Sequence, residues 1–520
     1  MKIKTVKISN KFYFIFITFL LILFAQRSLS YLSHIYDGGH HGSLFQNALE
    51  ILNGKLPYKD YFSQYGHLND LINSLTVYVL NKDIFGLYIN TTLFYFLSVF
   101  ILGYVSFKLS NIYSFFFAVL ILIFNHPIPE YPWPNYSAFL FLTLSVLIFN
   151  LKNNYQLFVS SFFLGISILC RENFYIFIIP TWIFLSFLIY MHYRELVKLS
   201  YFLCGLIVPI SIFFIFLSLN DIFDEWLSFQ ILPFLYVDAY DTTLTSLIKN
   251  FFIFFSTEVI FNLVEKPQYL SILLIYLFNA FVLFEEIFLK KIKNIKVIFI
   301  CTLCLSSFIV SVNYEIFRLY TSISLGLPII FYRLHLNKVK DTSFIYIFIL
   351  IFISIYSFAY YPSGNVKFFK NINFDHSYKD KEIRYFKNQK WTSDKWDFTK
   401  NFQTTDSKIF NRCNIEYILN LTPNAFILAL SNFSRVQNSH IFNDHLGLEF
   451  PLFFQRDFNK KINKLIIQEN IYIVTTANNI KILKTNLNQY FELEPISFYE
   501  GKEFFYKILV PKDCYQKIIN

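Results

Sequence analysis

Residues that could carry chemistry are concentrated in one polar stretch near the start of the chain, from Tyr36 to Gly86. Its acidic and histidine residues are Asp37, His40, His41, Glu50, Asp60, His67 and Asp70. A carboxylate can take the proton from an attacking hydroxyl group, and carboxylate and imidazole groups can together bind a divalent metal ion. The stretch therefore predicts a catalytic centre in which Asp37 is the candidate base, and Asp37 with His41 are the candidate metal ligands.

Two short helices are predicted to position these residues. Apolar residues at helical spacing from Leu44 to Leu52 indicate the first helix, which Gly54 ends, and Gly38 and Gly39 are expected to precede its regular part. The second helix has an apolar stripe, formed by Leu68, Leu71, Ile72, Leu75 and Val79. Both are too short and too polar to span a bilayer, so we expect them to lie along its surface. The first helix would then offer its positive N-terminal end to an anionic headgroup.

The composition predicts a polytopic α-helical membrane protein. Of 520 residues, 55% are hydrophobic and 21% aromatic, and the mean hydropathy is +0.44. The net charge of +10 does not indicate nucleic-acid binding, because the lysines lie mainly in short loops and in the C-terminal region. Walker, HExxH, GxSxG and dinucleotide-binding motifs are all missing from the sequence, so it gives no support to ATP hydrolysis, proteolysis or redox chemistry.

About eleven spans are predicted, the first being a retained helix with a cytoplasmic N-terminus. The apolar segments are 12–29, 87–107, 112–125, 135–150, 156–169, 174–190, 200–219, 268–288, 296–312, 319–333 and 342–361. This count places most short lysine-rich loops inside and the loops 31–86, 126–134 and 220–267 outside. The segment 247–264 is interpreted as interfacial or re-entrant, because a span there would move the cluster at Lys290 outside.

A change in composition after Tyr361 predicts two domains: 1–361 in the membrane, including the external loop 31–86, and a periplasmic α/β domain, 362–520. The predicted strands are 426–430, 471–475 and 504–510, and a helix is predicted near 451–469. Cys413 and Cys514 would either form a disulfide bond in an oxidising compartment or remain two buried thiols. Cys301 and Cys304 are interpreted as packing residues of an apolar helix.

Further candidates lie at predicted helix ends. Arg171 and Arg318 follow or precede apolar segments on the external side, where a cation could bind a phosphate, or could pair with Glu172 or Glu315. Glu130, in the second external loop, is either a second functional acid or an exposed loop acid. Other residues keep more than one interpretation. His40 and His41 are metal, acceptor or surface residues, and Asp60 either binds substrate or caps a turn.

The first loop resembles that of the GT-C glycosyltransferases, among them the bacterial aminoarabinose and protein-mannosyl transferases. The resemblance rests on Asp37 and on the run Ala48-Leu49-x-Ile51-Leu52-x-Gly54-x-Leu56-Pro57-Tyr58-x-Asp60-Tyr61-Phe62, followed by Tyr65-Gly66-His67 and Ile84-Phe85-Gly86. It covers about 50 residues, beyond which only the alternation of spans and the external tail are shared. The family often has two nearby acids where this chain has Asp-Gly-Gly-His-His.

The resemblance implies an inverting enzyme of the bacterial inner membrane that uses a polyprenyl-phosphate sugar and acts on a lipid, glycan or protein acceptor. A divalent metal ion is the one candidate cofactor. The implied catalytic residues are Asp37 and Glu130. The implied substrate-binding residues are His40, His41, Asp60, Tyr65, His67, Arg171 and Arg318. Two alternatives remain: a polysaccharide polymerase or ligase, which would place key arginines in a late external loop, and a transporter of lipid-linked glycans, whose charges would line mid-membrane helices.

Overall fold

The structure is a computed structural model of the whole chain. It describes residues 10–32, 38–58, 63, 65–80, 85–125, 132–227, 268–289, 292, 294–307, 321, 324–336 and 349–352, and the strand residues 417–420, 440–443, 471–476, 490–498 and 504–511. The predicted strand 426–430, the predicted helix 451–469, the segment 247–264 and both Cys413 and Cys514 lie outside these residues.

The described part of the chain up to residue 352 is helical. Its helices are α1 (Asn10–Leu32), α2 (Gly38–Leu52), α3 (His67–Val79), α4 (Phe85–Leu109), α5 (Ile112–Asn125), α6 (Pro134–Ile148), α7 (Asn154–Cys170), α8 (Tyr175–Tyr193), α9 (Leu196–Leu219), α10 (Gln268–Phe284), α11 (Ile295–Ser307) and α12 (Leu327–Leu336). A π-helical turn, Glu285–Leu289, extends α10, and one 3₁₀ turn, Glu172–Phe174, joins α7 to α8.

Four of the described helical segments are long and apolar enough to cross a membrane: Phe85–Leu109, Glu172–Met191, Leu196–Leu219 and Tyr269–Leu289. Large apolar side chains on them point outward, as Ile183, Ile212 and Phe281 do with 57–61% of their surface exposed. Such exposure suits a lipid surrounding and would be costly in water. The chain is a polytopic helical membrane protein, as its composition predicts.

The chain forms two compact units. The first contains Met1–Tyr31, Tyr65–Asn69 and Tyr88–Asn373, and the second contains Leu32–Gln64, Asp70–Leu87 and Phe374–Asn520. The first unit therefore holds the apolar helices, together with a short piece of the polar stretch identified in the sequence.

Helix α2 begins earlier than predicted. Gly38 and Gly39 were expected to precede it, but they form its first turn. Glycine costs about 1 kcal/mol in a helix interior. Leu44, Phe45 and Ala48 are each at most 2% exposed, and their burial stabilises the helix enough to outweigh this cost.

A five-stranded sheet lies in the second unit. Its strands are β1 (Tyr417–Asn420), β2 (His440–Asn443), β3 (Ile471–Thr476), β4 (Tyr490–Phe498) and β5 (Phe504–Pro511), in the order β2-β1-β3-β5-β4. β1 pairs in parallel with β2 and β3, whereas β5 pairs antiparallel with β3 and β4. The predicted strands 471–475 and 504–510 are confirmed in β3 and β5.

Close backbone approach holds α7 against α9 in the first unit. A Cβ atom on Gly205 would collide with the carbonyl oxygen of Phe158 and lie 2.8 Å from Cβ of Ser161. A Cβ atom on Gly165 would collide with the ring of Pro209. Small residues at such crossings let membrane helices pack through their backbones.

Buried hydroxyl and amide groups connect the other helices of this unit. Ser145 of α6 contacts Ser160 of α7 at 3.0 Å between hydroxyl oxygens, and Ser271 of α10 donates to Asn125 Oδ1 of α5 at 3.1 Å. Each pair supplies a hydrogen bond to polar groups for which lipid offers no hydrogen-bond partner.

The Cys301 and Cys304 side chains are buried in α11, as predicted for packing residues. A Cβ atom on Gly326 would lie 2.6 Å from the Cys304 sulfur, so this thiol fills the space beside the 3₁₀ turn Ser324–Gly326, which precedes α12.

We predict that Gly205→Ala destabilises the protein by about 1–3 kcal/mol, because the new methyl group must push the α7 backbone away. Cys204→Ala is the matched control, since Cys204 is the preceding residue and its side chain is exposed. Thermal unfolding in detergent measures both. Equal unfolding temperatures for the two variants would contradict close packing at this crossing.

Candidate functional site

The segment Tyr65–His67 lies against the C-terminal end of α7. The Glu172 backbone N–H donates to the Tyr65 carbonyl oxygen at 2.8 Å. Gly66 approaches the same helix end so closely that a Cβ atom there would lie 2.6 Å from the Leu169 carbonyl oxygen and 2.8 Å from that of Cys170. Only glycine fits this position without a shift of the backbone.

Arg171 is the buried cation at this helix end. It is the C-cap residue of α7, its backbone N–H donates to the Ser167 carbonyl oxygen, and it is only 7% exposed. Its guanidinium carbon lies 5.2 Å from the centre of the Tyr65 ring, within the range of a cation–π interaction. The Tyr65 ring in turn meets Trp133 edge-on, at 5.3 Å between ring centres. A charge buried in this way is expected to have a functional or structural role.

A chain of polar contacts links the same helix end to α3 and α6. The Cys170 thiol is hydrogen-bonded to the Ser137 hydroxyl group. The Ser137 hydroxyl group lies 2.6 Å from Asn69 Oδ1 and 2.9 Å from the Pro134 carbonyl oxygen, and both oxygens can accept its proton. The first turns of α3 and α6, whose N-terminal ends carry partial positive charge, therefore meet beside residue 170.

Glu172 is held on its other side by an aromatic cluster. Trp226 Nε1 donates to Glu172 Oε2 at 3.3 Å. The Trp226 indole packs against Phe213, Phe214 and Phe223, at 5.4–5.8 Å between ring centres. The residues that follow α9 are thereby connected to the turn that carries Arg171.

His67 begins α3 and stacks on Phe216 of α9, with ring centres 5.1 Å apart and planes 8° from parallel. Its Nδ1 atom is buried without a hydrogen-bond partner among the described residues. Burial lowers the pKa of His67 to about 4, from the usual 6.5. The imidazole is therefore neutral at physiological pH.

A separate polar cluster lies in the second unit. Asp70, 1% exposed, accepts hydrogen bonds from Asn47 Nδ2 at 3.1 Å and from Ser63 Oγ at 2.7 Å. Glu50 of α2 pairs with Lys55 at 2.5 Å. The hydrogen bonds from Asn47 and Ser63 to Asp70 fix α2 and the following loop against α3, which indicates a structural role.

Helix α3 has inverted polarity. Its polar residues Asn73 and Ser74 are buried, whereas Leu75 and Val79 on its predicted apolar stripe are 65% and 68% exposed. An apolar face turned outward is stable where the surroundings are apolar, as at a membrane interface.

The structure brings three of the predicted site residues into one region: Tyr65, His67 and Arg171 all lie in the first unit, beside the end of α7. His40 and His41 lie in the first turn of α2, and their side-chain positions are not described. Asp37, Asp60, Glu130 and Arg318 lie outside the described residues.

No group of three His, Cys, Asp or Glu side chains is arranged for metal binding within the described parts of the chain. Asp37 and the His41 side chain are not among the groups that were described, so their role as metal ligands stays a prediction.

Sequence reasoning did not identify Trp133, Ser137 or Asn69 as members of this region. It named Glu172 only as a possible ion-pair partner of Arg171. Trp133 carried one usable signal: the Trp-Pro pair directly precedes α6, where proline favours the first helical position. The Ser137–Asn69 contact joins residues 68 positions apart and has no local signal.

We predict that the protein loses stability as the pH falls from about 6.5 to 4. The unfolded chain binds a proton at His67 near pH 6.5, but the folded chain binds it only near pH 4, so acid favours unfolding by at most about 3 kcal/mol. His67→Phe keeps a ring that can stack on Phe216 but has no group that binds this proton. Unfolding of both forms measured at pH 7 and pH 4.5 tests the prediction, and an equal pH dependence would contradict it.

No protein-family model and no curated protein matches the sequence. Solved structures do match. A crystal structure of ArnT from Cupriavidus metallidurans bound to undecaprenyl phosphate has a TM-score of 0.56 and 8% identity, over 95% of this chain and 97% of that chain. The same protein in the apo state has a TM-score of 0.51 and 8% identity, over 95% and 98%.

ArnT is a GT-C glycosyltransferase. The likeness extends over nearly the whole of both chains, whereas the resemblance in sequence is confined to the first loop. The fold of this chain is therefore similar to that of ArnT, as the resemblance implied.

Proposed function

We propose that the protein is a membrane glycosyltransferase that moves a sugar from a polyprenyl-phosphate donor to a lipid, glycan or protein acceptor. The observation that carries the proposal is the likeness over 95% of the chain to an ArnT structure that holds undecaprenyl phosphate. Since a fold alone does not define an activity, the proposal also depends on the side chains of the candidate site.

Arg171 supports the proposal by its chemistry. A guanidinium group binds the oxygens of a phosphate through two parallel N–H donors. Arg171 is buried at the end of an apolar helix and beside the first loop, where a lipid carrying a phosphate headgroup could meet it from the membrane. The positive N-terminal ends of α3 and α6 near Cys170 would add to the attraction for an anion.

The outward apolar face of α3 supports a membrane-level location for this loop. Leu75 and Val79 would lie among acyl chains, while the polar face of the helix stays within the protein. A polyprenyl chain could then remain in the bilayer while its headgroup reaches the loop.

The proposed reaction needs a base and a stabilised leaving group. Asp37 would take the proton from the acceptor hydroxyl group as its oxygen attacks the anomeric carbon, and the bond from that carbon to the phosphate oxygen would break with inversion. Arg171 and Arg318 would balance the charge on the departing phosphate. Glu130 is proposed as the second acid, and His40, His41, Asp60 and His67 as substrate-binding residues.

We predict that Asp37→Asn abolishes transfer but leaves membrane insertion intact, because the amide cannot accept the proton. Asp221→Asn is the matched control: Asp221 is exposed, follows α9 and has a φ of 52°, which asparagine tolerates well. Transfer from extracted lipid-linked sugars is measured with both variants in liposomes. Normal turnover by Asp37→Asn would remove Asp37 as the base.

We predict that a reporter fused after Asn520 is active only outside the cytoplasm, and that a fusion near Lys293 behaves oppositely. This follows from the proposed location in a bacterial inner membrane, with the first loop and the C-terminal region on the outer side. Fusions after Lys152 and Lys198, in loops also proposed to be cytoplasmic, serve as controls. Reports from the same side at Asn520 and Lys293 would contradict the topology.

A further inference from the structure

We propose that Tyr65 acts on the phosphate indirectly, as the residue that orients the Arg171 guanidinium group. This inference rests on the proposed function and replaces the prediction that Tyr65 itself binds substrate. It is carried by the cation–π contact of the two side chains, 5.2 Å from the guanidinium carbon to the ring centre, and by the contacts that position Tyr65.

Two backbone contacts and one ring contact position Tyr65. Its own carbonyl oxygen accepts the Glu172 backbone N–H, which ties residue 65 to the residue directly after Arg171. The next residue, Gly66, lies against the carbonyl groups at the end of α7. Trp133 meets the ring edge-on.

Trp133 is itself a fixed partner. It is the N-cap residue of α6 and is 6% exposed, and Pro134 follows it at the first helical position. The proline restricts the backbone of Trp133, and burial of the indole limits the movement of the side chain. The Tyr65 backbone is therefore anchored at the end of α7, and its ring has a buried aromatic partner.

The position of the Tyr65 ring affects how the N–H donors of Arg171 face a phosphate. A guanidinium group is planar, and its N–H donors lie in the plane. In the proposed arrangement the ring covers one face of the guanidinium group, and the donors at its edge pair with two oxygens of a phosphate. An arginine without the ring would have to give up rotamer freedom upon binding, at a cost to affinity.

The inference distinguishes a positioning role from simple packing. If the ring only fills space, any loss after its removal should be independent of the side chain at position 171. If the ring orients the guanidinium group, its removal should matter only while that group is present, because the ammonium group of lysine has no plane to orient.

The test measures the Kd of undecaprenyl phosphate for the full-length protein in nanodiscs. Tyr65→Leu should weaken binding about tenfold, which corresponds to about 1.4 kcal/mol and lies within the range of cation–π interactions. Tyr65→Phe should restore most of the affinity, since it keeps the ring. Tyr95→Leu is the matched control, because Tyr95 is a buried tyrosine with an edge-on aromatic partner, Tyr136.

Tyr65→Leu is then combined with Arg171→Lys. We expect Arg171→Lys to weaken binding by itself, and Tyr65→Leu to add less than about twofold in that background. Tyr65→Met, which keeps much of the volume without a ring face, replaces Tyr65→Leu if the latter does not fold.

Three results would overturn the inference: unchanged affinity in Tyr65→Leu or Tyr65→Met, an equal loss with lysine at position 171, or an equal loss in Tyr95→Leu. These results would leave the proposed function standing, provided that the wild-type protein binds the lipid. Failure of the wild-type protein to bind undecaprenyl phosphate would instead contradict the proposed function, and this inference with it.

Discussion

The contact of Gly66 with the carbonyl groups at the end of α7 is the constraint on which the candidate site depends. Without a side chain, residue 66 can lie against Leu169 and Cys170, and the Tyr65 carbonyl oxygen can then accept the Glu172 N–H. That bond sets the Tyr65 ring beside Arg171. A substitution with a Cβ atom would separate these groups even though it changes no functional side chain.

The second organising feature is polarity that is reversed relative to a water-soluble protein. Helix α3 buries asparagine and serine and exposes leucine and valine, and the long helices expose Ile183, Ile212 and Phe281. Buried polar groups then require partners within the protein, which Asn125 with Ser271 and Ser145 with Ser160 supply. A protein of this kind can hold charged chemistry at the membrane surface while its outer face remains compatible with lipid.

Hydropathy was sufficient to predict most of the described helices, because lipid leaves only one way to satisfy the backbone of an apolar segment. The predicted spans 112–125 and 200–219 lie within α5 and α9. The start of α2 at Gly38 was missed, because glycine is a poor helix former locally and the burial that stabilises this helix comes later in its sequence.

The site was predictable in part. A charge at the end of an apolar segment is unusual enough to single out Arg171, and the spacing of the first loop singled out Tyr65 and His67. Their mutual arrangement was not predictable, because it depends on a backbone contact at Gly66 and on the Trp133 edge. The surroundings of His67 had no local signal in the sequence: burial beside Phe216 keeps the imidazole neutral, so it would contact a substrate by hydrogen bonding and not by charge.

The central claim is that the protein recognises the phosphate of a polyprenyl lipid. Its most direct test compares undecaprenyl phosphate with undecaprenol, which has the same chain and no charge, by native mass spectrometry of the wild-type protein. We predict one saturable site for the phosphate and much weaker binding of the alcohol, with the difference decreasing as salt screens the charge. Equal binding of the two lipids would contradict phosphate recognition and, with it, the proposed function.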